Sequence, residues 1–138
     1  MPNPTAAMLV IGDEILSGRT RDANMYHLAG QLTGQGIDLK EVRVVSDDPE
    51  AIVSAARALR AAYTHVFTSG GIGPTHDDIT ADCIAAAFGV SIGVRADARA
   101  ILQAHYDANG QELNEARLRM ARIPDGACLI DNPVSKAP

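Results

Sequence analysis

Six consecutive apolar residues, Ala6-Ala7-Met8-Leu9-Val10-Ile11, run straight into Gly12. A run this short, with no polar alternation, reads as a strand buried on both faces, and such burial implies a parallel sheet covered by helices. The rest of the chain alternates accordingly. Met25, Leu28, Ala29 and Leu32 recur at helical spacing over 23–35, and Gly34 and Gly36 close that helix. Leu39, Val42 and Val44 mark a second strand over 37–45. Ser46-Asp47-Asp48-Pro49 then reads as a turn and helix start, with an Asp or Ser cap and Pro in the first turn. An Ala-rich helix over 50–63 follows, with Ile52, Val53, Ala56 and Leu59 on one face.

A third strand over 65–68 leads into Ser69-Gly70-Gly71. Helices over 77–88, 95–109 and 114–122 and a last strand over 127–130 complete the expected order. Regular alternation with right-handed crossovers predicts a three-layer α/β/α fold with a mostly parallel sheet. The 138 residues suit one domain covering 1–138, and 46% apolar content supplies a core without a metal or disulfide.

A net charge of −5, scattered basic residues and the absence of Trp argue against nucleic acid as a partner. Cys83 and Cys128 show no C-x-x-C spacing and read as packed thiols of a reducing compartment. No basic segment followed by a long apolar stretch opens the chain, and nothing nears the roughly 18 apolar residues of a membrane span. A cytoplasmic protein without membrane contact is expected.

In open α/β sheets ligands gather beyond the carboxyl ends of the strands, which selects the loops over 12–21, 46–48 and 69–78. The third is the most specific. Gly70, Gly71 and Gly73 allow positive φ and a close backbone approach, with the hydroxyls of Ser69 and Thr75 on either side. A helix starting near Thr75 would turn its N–H groups toward this loop, making a seat for phosphate. An ordinary glycine turn is the plainer reading. Asp77 and Asp78 either cap that helix or hold Mg²⁺ against substrate phosphates, and the two roles are compatible. Acid beside an anion seat repels phosphate unless a cation intervenes.

Asp13 and Glu14, directly after Gly12, could bind a ligand or metal or simply hold their turn. Arg19 and Arg21 could meet phosphate. Asn24 and Asp47 each have capping as the plain alternative. His76 is the one histidine near the glycine loop, and neither a P-loop nor a G-x-S-x-G elbow is present.

The segments Gly12-Asp13-Glu14-Ile15-Leu16-Ser17-Gly18, Asp22-Ala23-Asn24, Thr68-Ser69-Gly70-Gly71-Ile72-Gly73-Pro74-Thr75 and Asp77-Asp78-Ile79-Thr80 together resemble the molybdenum-cofactor biosynthesis (molybdopterin-binding) domain family. Within it they are most similar to the competence/damage-inducible protein A branch. The resemblance implies the three-layer fold and a site formed by Gly12, Asp13, Glu14, Ser69, Gly70, Gly71, Gly73 and Thr75. It also implies acidic catalytic positions at Asp47 and Asp78; the residues themselves point to Asp77 and Asp78 for Mg²⁺. In the adenylyltransferase branch such a domain binds molybdopterin, and Mg-ATP donates AMP. In the competence-protein branch it is a metal-dependent pyrophosphatase on ADP-ribose-like or FAD-like dinucleotides, which the two acidic pairs resemble more. The resemblance further implies a homo-oligomer, dimer or trimer. The family's domain runs on through a further strand and loop, of which 132–138 resembles the start, so a domain lacking its C-terminal segment is expected.

Overall fold

In the computed structural model, which describes residues 2–133, the apolar run becomes the central strand of a parallel sheet. This strand, β1 (Thr5–Ile11), is buried from Ala6 to Ile11, with no residue there more than 3% exposed. It is flanked by β2 (Asp38–Val45) and β3 (His65–Ser69) in the order β2-β1-β3. The register runs from Thr5 opposite Asp38 to Ile11 opposite Val45 on one side, with a bulge between Ala6 and Ala7. On the other side Ala6 faces His65 and Val10 faces Ser69. A strand paired on both edges has its backbone groups satisfied, and full burial then favours apolar side chains on both faces.

The chain divides into two compact units at Gly70/Gly71, and each is described by itself. In the first, a short helix α1 (Asp13–Leu16) lies inside the loop after β1, where the sequence suggested irregular chain. Helix α2 (Asn24–Gly34) packs against β2, with Leu32 buried and Met25 exposed. Helix α3 (Pro49–Ala62) packs across all three strands through Ile52, Ala55, Ala56 and Leu59, a stripe of i, i+3, i+4, i+7 spacing. Asp48 caps it by accepting the Ala51 N–H, with Pro49 at the first helical position. Because β2 and β3 lie on opposite sides of β1, right-handed crossovers carry α2 and α3 to opposite faces of the sheet. This is an α/β fold, and helix, sheet and helix make its three layers.

The second unit holds α4 (Thr80–Phe88), β4 (Ile92–Val94), α5 (Ala96–Ala108), α6 (Glu115–Leu118), a 3-10 turn over Arg119–Ala121 and β5 (Arg122–Pro124). Its core gathers Ala98, Leu102, Ala121 and Ile123, with Tyr106, Leu113, Leu118, Met120, Ala127 and Leu129 packed around them. β4 and β5 pair antiparallel as a separate ribbon. Three expectations fail here. The helix over 114–122 breaks after Leu118, because Arg122–Pro124 is needed as the partner of β4. The segment 127–130 is extended but belongs to no strand; Ala127 and Leu129 pack inward while Cys128 and Ile130 are exposed, which mimics strand alternation. Cys128 is accordingly not a packed thiol, whereas Cys83 is buried. The expected loop over 132–138 lies outside the described residues from 134 onward.

Candidate functional site

The strand order reverses at β1 and β3, and such a switch point leaves a crevice beyond their carboxyl ends. In the first unit a cavity of about 260 Å³ opens there, lined by Ile11, Glu14, Thr20, Arg21, Ser69 and Gly70 among others. Two contacts define its walls. Asn24 donates from Nδ2 to Ser69 Oγ at 2.7 Å, tying the start of α2 to the end of β3. Thr20 N–H donates to the Glu14 carbonyl at 3.0 Å, which folds the loop back over α1. Capping of α2 falls to Asp22 instead of Asn24, since the Asp22 carboxylate accepts the N–H groups of Asn24 and Met25. Asn24 is thereby released to shape the cavity.

Asp13 and Asp47 meet across the ends of β1 and β2. Asp13 N–H donates to Asp47 Oδ2 at 3.1 Å, and Asp47 N–H donates to Asp13 Oδ1 at 3.2 Å. Each carboxylate spends one oxygen on this reciprocal clamp and retains the other. Asp48, not Asp47, is the helix cap, so the neighbouring acids divide the two duties that the sequence left open.

The glycines serve different ends. Gly70 has a φ of +95°, and a Cβ there would run into the Ile11 carbonyl oxygen. Gly71, at +66°, shares the left-handed conformation. Gly12 and Gly73 make room for acids instead. A Cβ on Gly12 would lie 2.6 Å from Glu14 Oε1, and one on Gly73 would lie 2.8 Å from Asp78 Oδ2.

In the second unit Gly71, Gly73, Thr75, Asp77 and Asp78 form a turn before α4, which begins at Thr80 rather than near Thr75. Thr75 therefore does not cap a helix. Its carbonyl accepts the Asp78 N–H, and Asp78 Oδ2 accepts both the Thr75 N–H at 2.9 Å and the Thr75 hydroxyl at 2.8 Å. Thr75-His76-Asp77-Asp78 has the spacing of a capping box, yet it closes a reverse turn. Burial acts to raise the Asp78 carboxyl, but bonds from Thr75 and Gly73 and the charge of Arg119 together hold it below the ordinary range. The Thr75 donors anticipated for a phosphate are thus occupied by the protein's own carboxylate. Asp77 is exposed and lies 3.3 Å from His76 Nε2.

Among the described residues no group of three His, Cys, Asp or Glu side chains is arranged to hold a metal by itself. Mg²⁺ usually takes only one or two carboxylates and completes its shell with water and substrate phosphate. Asp13 and Asp47 each retain one carboxylate oxygen of the kind such a cation takes.

In parallel α/β sheets a crevice at the switch point is where ligands are commonly held. Comparison supplies the family. The model for the probable molybdopterin binding domain matches residues 7–136, and the chain belongs to this family. A protein of Pyrobaculum calidifontis is 38% identical over 135 residues, which are 98% of this chain and 52% of the relative. One from Aeropyrum pernix is 38% identical over 137 residues, 99% and 51% of the respective lengths. The chain therefore spans about half the length of these relatives. Among solved structures, CinA of unknown function from Thermoplasma acidophilum matches with a TM-score of 0.90 at 35% identity, covering 100% of this chain and 80% of that one. The tungsten cofactor synthesizing protein MoaB from Pyrococcus furiosus matches with a TM-score of 0.56 at 20% identity, over 80% and 67%, and shares the fold. Among the described residues no helix is long and apolar enough to cross a membrane.

Proposed function

We propose that this domain hydrolyses the pyrophosphate of an ADP-ribose-like or FAD-like dinucleotide with Mg²⁺ as cofactor. The observation that supports this most is the reciprocal Asp13–Asp47 clamp across the ends of β1 and β2, which leaves one oxygen on each of two acids; Asp13 directly precedes Glu14 of the cavity wall in sequence. Acids so placed oppose a bare phosphate and favour one that arrives with a cation. Asp13 and Asp47 would hold the metal, which when bound neutralises phosphate charge and makes phosphorus more electrophilic. The Ser69 hydroxyl, which accepts from Asn24 and keeps its own proton, is placed to donate to a phosphate oxygen. Arg21 can pair with the same group. Water oxygen adds to one phosphorus, the bridging P–O bond breaks, and two monophosphates leave: AMP and a ribose phosphate where ADP-ribose is cleaved. Asp78 is assigned the work of holding the 73–78 turn. A cytoplasmic homo-oligomer, dimer or trimer, accompanies this reading.

The family description favours a second reading, in which the domain binds a molybdopterin-type ligand without turning it over. Incubating the protein with ADP-ribose, FAD, NAD and ATP, with and without Mg²⁺, and following AMP by chromatography separates the two. Mg²⁺-dependent AMP from ADP-ribose or FAD supports hydrolysis. A folded protein that releases none supports binding alone.

A further inference from the structure

The second unit contains a cavity of about 680 Å³ lined by Thr75, His76, Asn114, Glu115, Arg117 and Arg119 among others. We propose that Arg117 and Arg119 make it a binding site for a phosphate monoester dianion.

Three other arginines show what a structural guanidinium looks like in this chain: Arg43 pairs with Glu41, Arg95 with Asp97 and Arg122 with Asp82. Among the described residues Arg117 and Arg119 have no carboxylate within ion-pair distance. Arg119 Nε is buried with no hydrogen-bond partner there, and its Nη2 reaches only the Asp78 carbonyl at 3.3 Å. A buried donor without an acceptor costs its full desolvation penalty, which an acceptor brought within its reach would relieve. Arg117 is held ready. Its Nη1 donates to the Glu112 carbonyl at 2.7 Å, and its guanidinium lies 4.8 Å from the centre of the Tyr106 ring. Asn114 fixes this segment by accepting the Arg117 N–H at 2.9 Å. A guanidinium positioned beforehand loses little freedom on binding.

Two guanidinium groups lining one cavity suit a tetrahedral dianion, which offers several oxygens in different directions, whereas a carboxylate matches a single fork. Glu115 supplies the one carboxylate among the lining residues, against the two guanidinium groups of Arg117 and Arg119. Neither arginine carries a signal in the sequence beyond its charge.

Titrating the full chain with inorganic phosphate at low ionic strength, followed by amide NMR, reads the site without any turnover. The expected result is shifts at Thr75 and over 114–119, with affinity falling about tenfold in Arg117→Gln and further in Arg117→Gln/Arg119→Gln. Arg117→Lys should recover only part of the loss, because charge returns without the fork. Where Arg119→Gln fails to fold, Arg117→Gln and Arg117→Lys carry the test. Unchanged affinity in Arg117→Gln, or shifts confined to Ser69 and residues 20–24, overturns the inference. A chain that cleaves no dinucleotide yet binds phosphate through these arginines would sink the pyrophosphatase reading and keep this one.

Discussion

At Gly70 the end of β3 turns so close to β1 that a side chain would occupy the space of the Ile11 carbonyl. Gly70→Ala must shift the backbone at the end of the central strand or strain a φ of +95°. Such strain costs about 1–3 kcal/mol before any collision is counted. Thermal unfolding should therefore show a loss of at least about 2 kcal/mol, and an unchanged midpoint would mean the turn has another conformation in solution. Asp78 makes a different prediction. Its carboxyl is held low in the folded state, so the folded protein binds this proton less readily than the unfolded chain. The associated stability is complete above the unfolded value of about 3.9 and is lost as pH falls through the lower folded value. Glu41 and Asp97 are likewise held low, chiefly by Arg43 and Arg95. Urea unfolding of wild type and Asp78→Asn across acid pH separates them. Asp78→Asn should be about 1 kcal/mol less stable near neutrality, with the difference shrinking in acid; a pH-independent gap would contradict the assigned bonds.

Among the elements, those of the first unit were the most legible in the sequence. Its apolar run, the stripe of α3 and the Asp48-Pro49 start each rest on local periodicity or capping, which neighbouring elements reinforce. Asp48→Ala should cost about 1 kcal/mol, as loss of a helix cap does, and should leave the sheet intact; circular dichroism with chemical unfolding measures both. The second unit was less legible. β4 has three residues with a glycine at its centre, too short for any period to show. β5 exists because β4 pairs with it, a tertiary cause invisible to local pattern. The site divides in the same way. That Gly70 needs a positive φ is readable from composition, but a glycine that makes room for a carboxylate two or five residues away is not. The reciprocal bonds of Asp13 and Asp47 join residues 34 apart in sequence, and only the register of β1 with β2 brings them together.

On the scale of the whole molecule, the family's model spans both units while the chain spans about half of its relatives. Each unit contributes its own feature: the first a switch-point cavity and the Asp13–Asp47 clamp, the second a carboxylate-closed turn. In the proposed reaction Asp13 and Asp47 present a cation to a dinucleotide pyrophosphate. Asp47→Asn keeps an amide oxygen able to accept the Asp13 N–H, so the loops should hold while the charge is lost. The most direct measurement is AMP release from ADP-ribose at saturating Mg²⁺ by wild type and Asp47→Asn, with folding checked by thermal unfolding. Mg²⁺-dependent release by wild type, reduced roughly a hundredfold or more in the variant, is the predicted result. Equal rates in the two proteins, or release that persists without a divalent cation, would contradict the account.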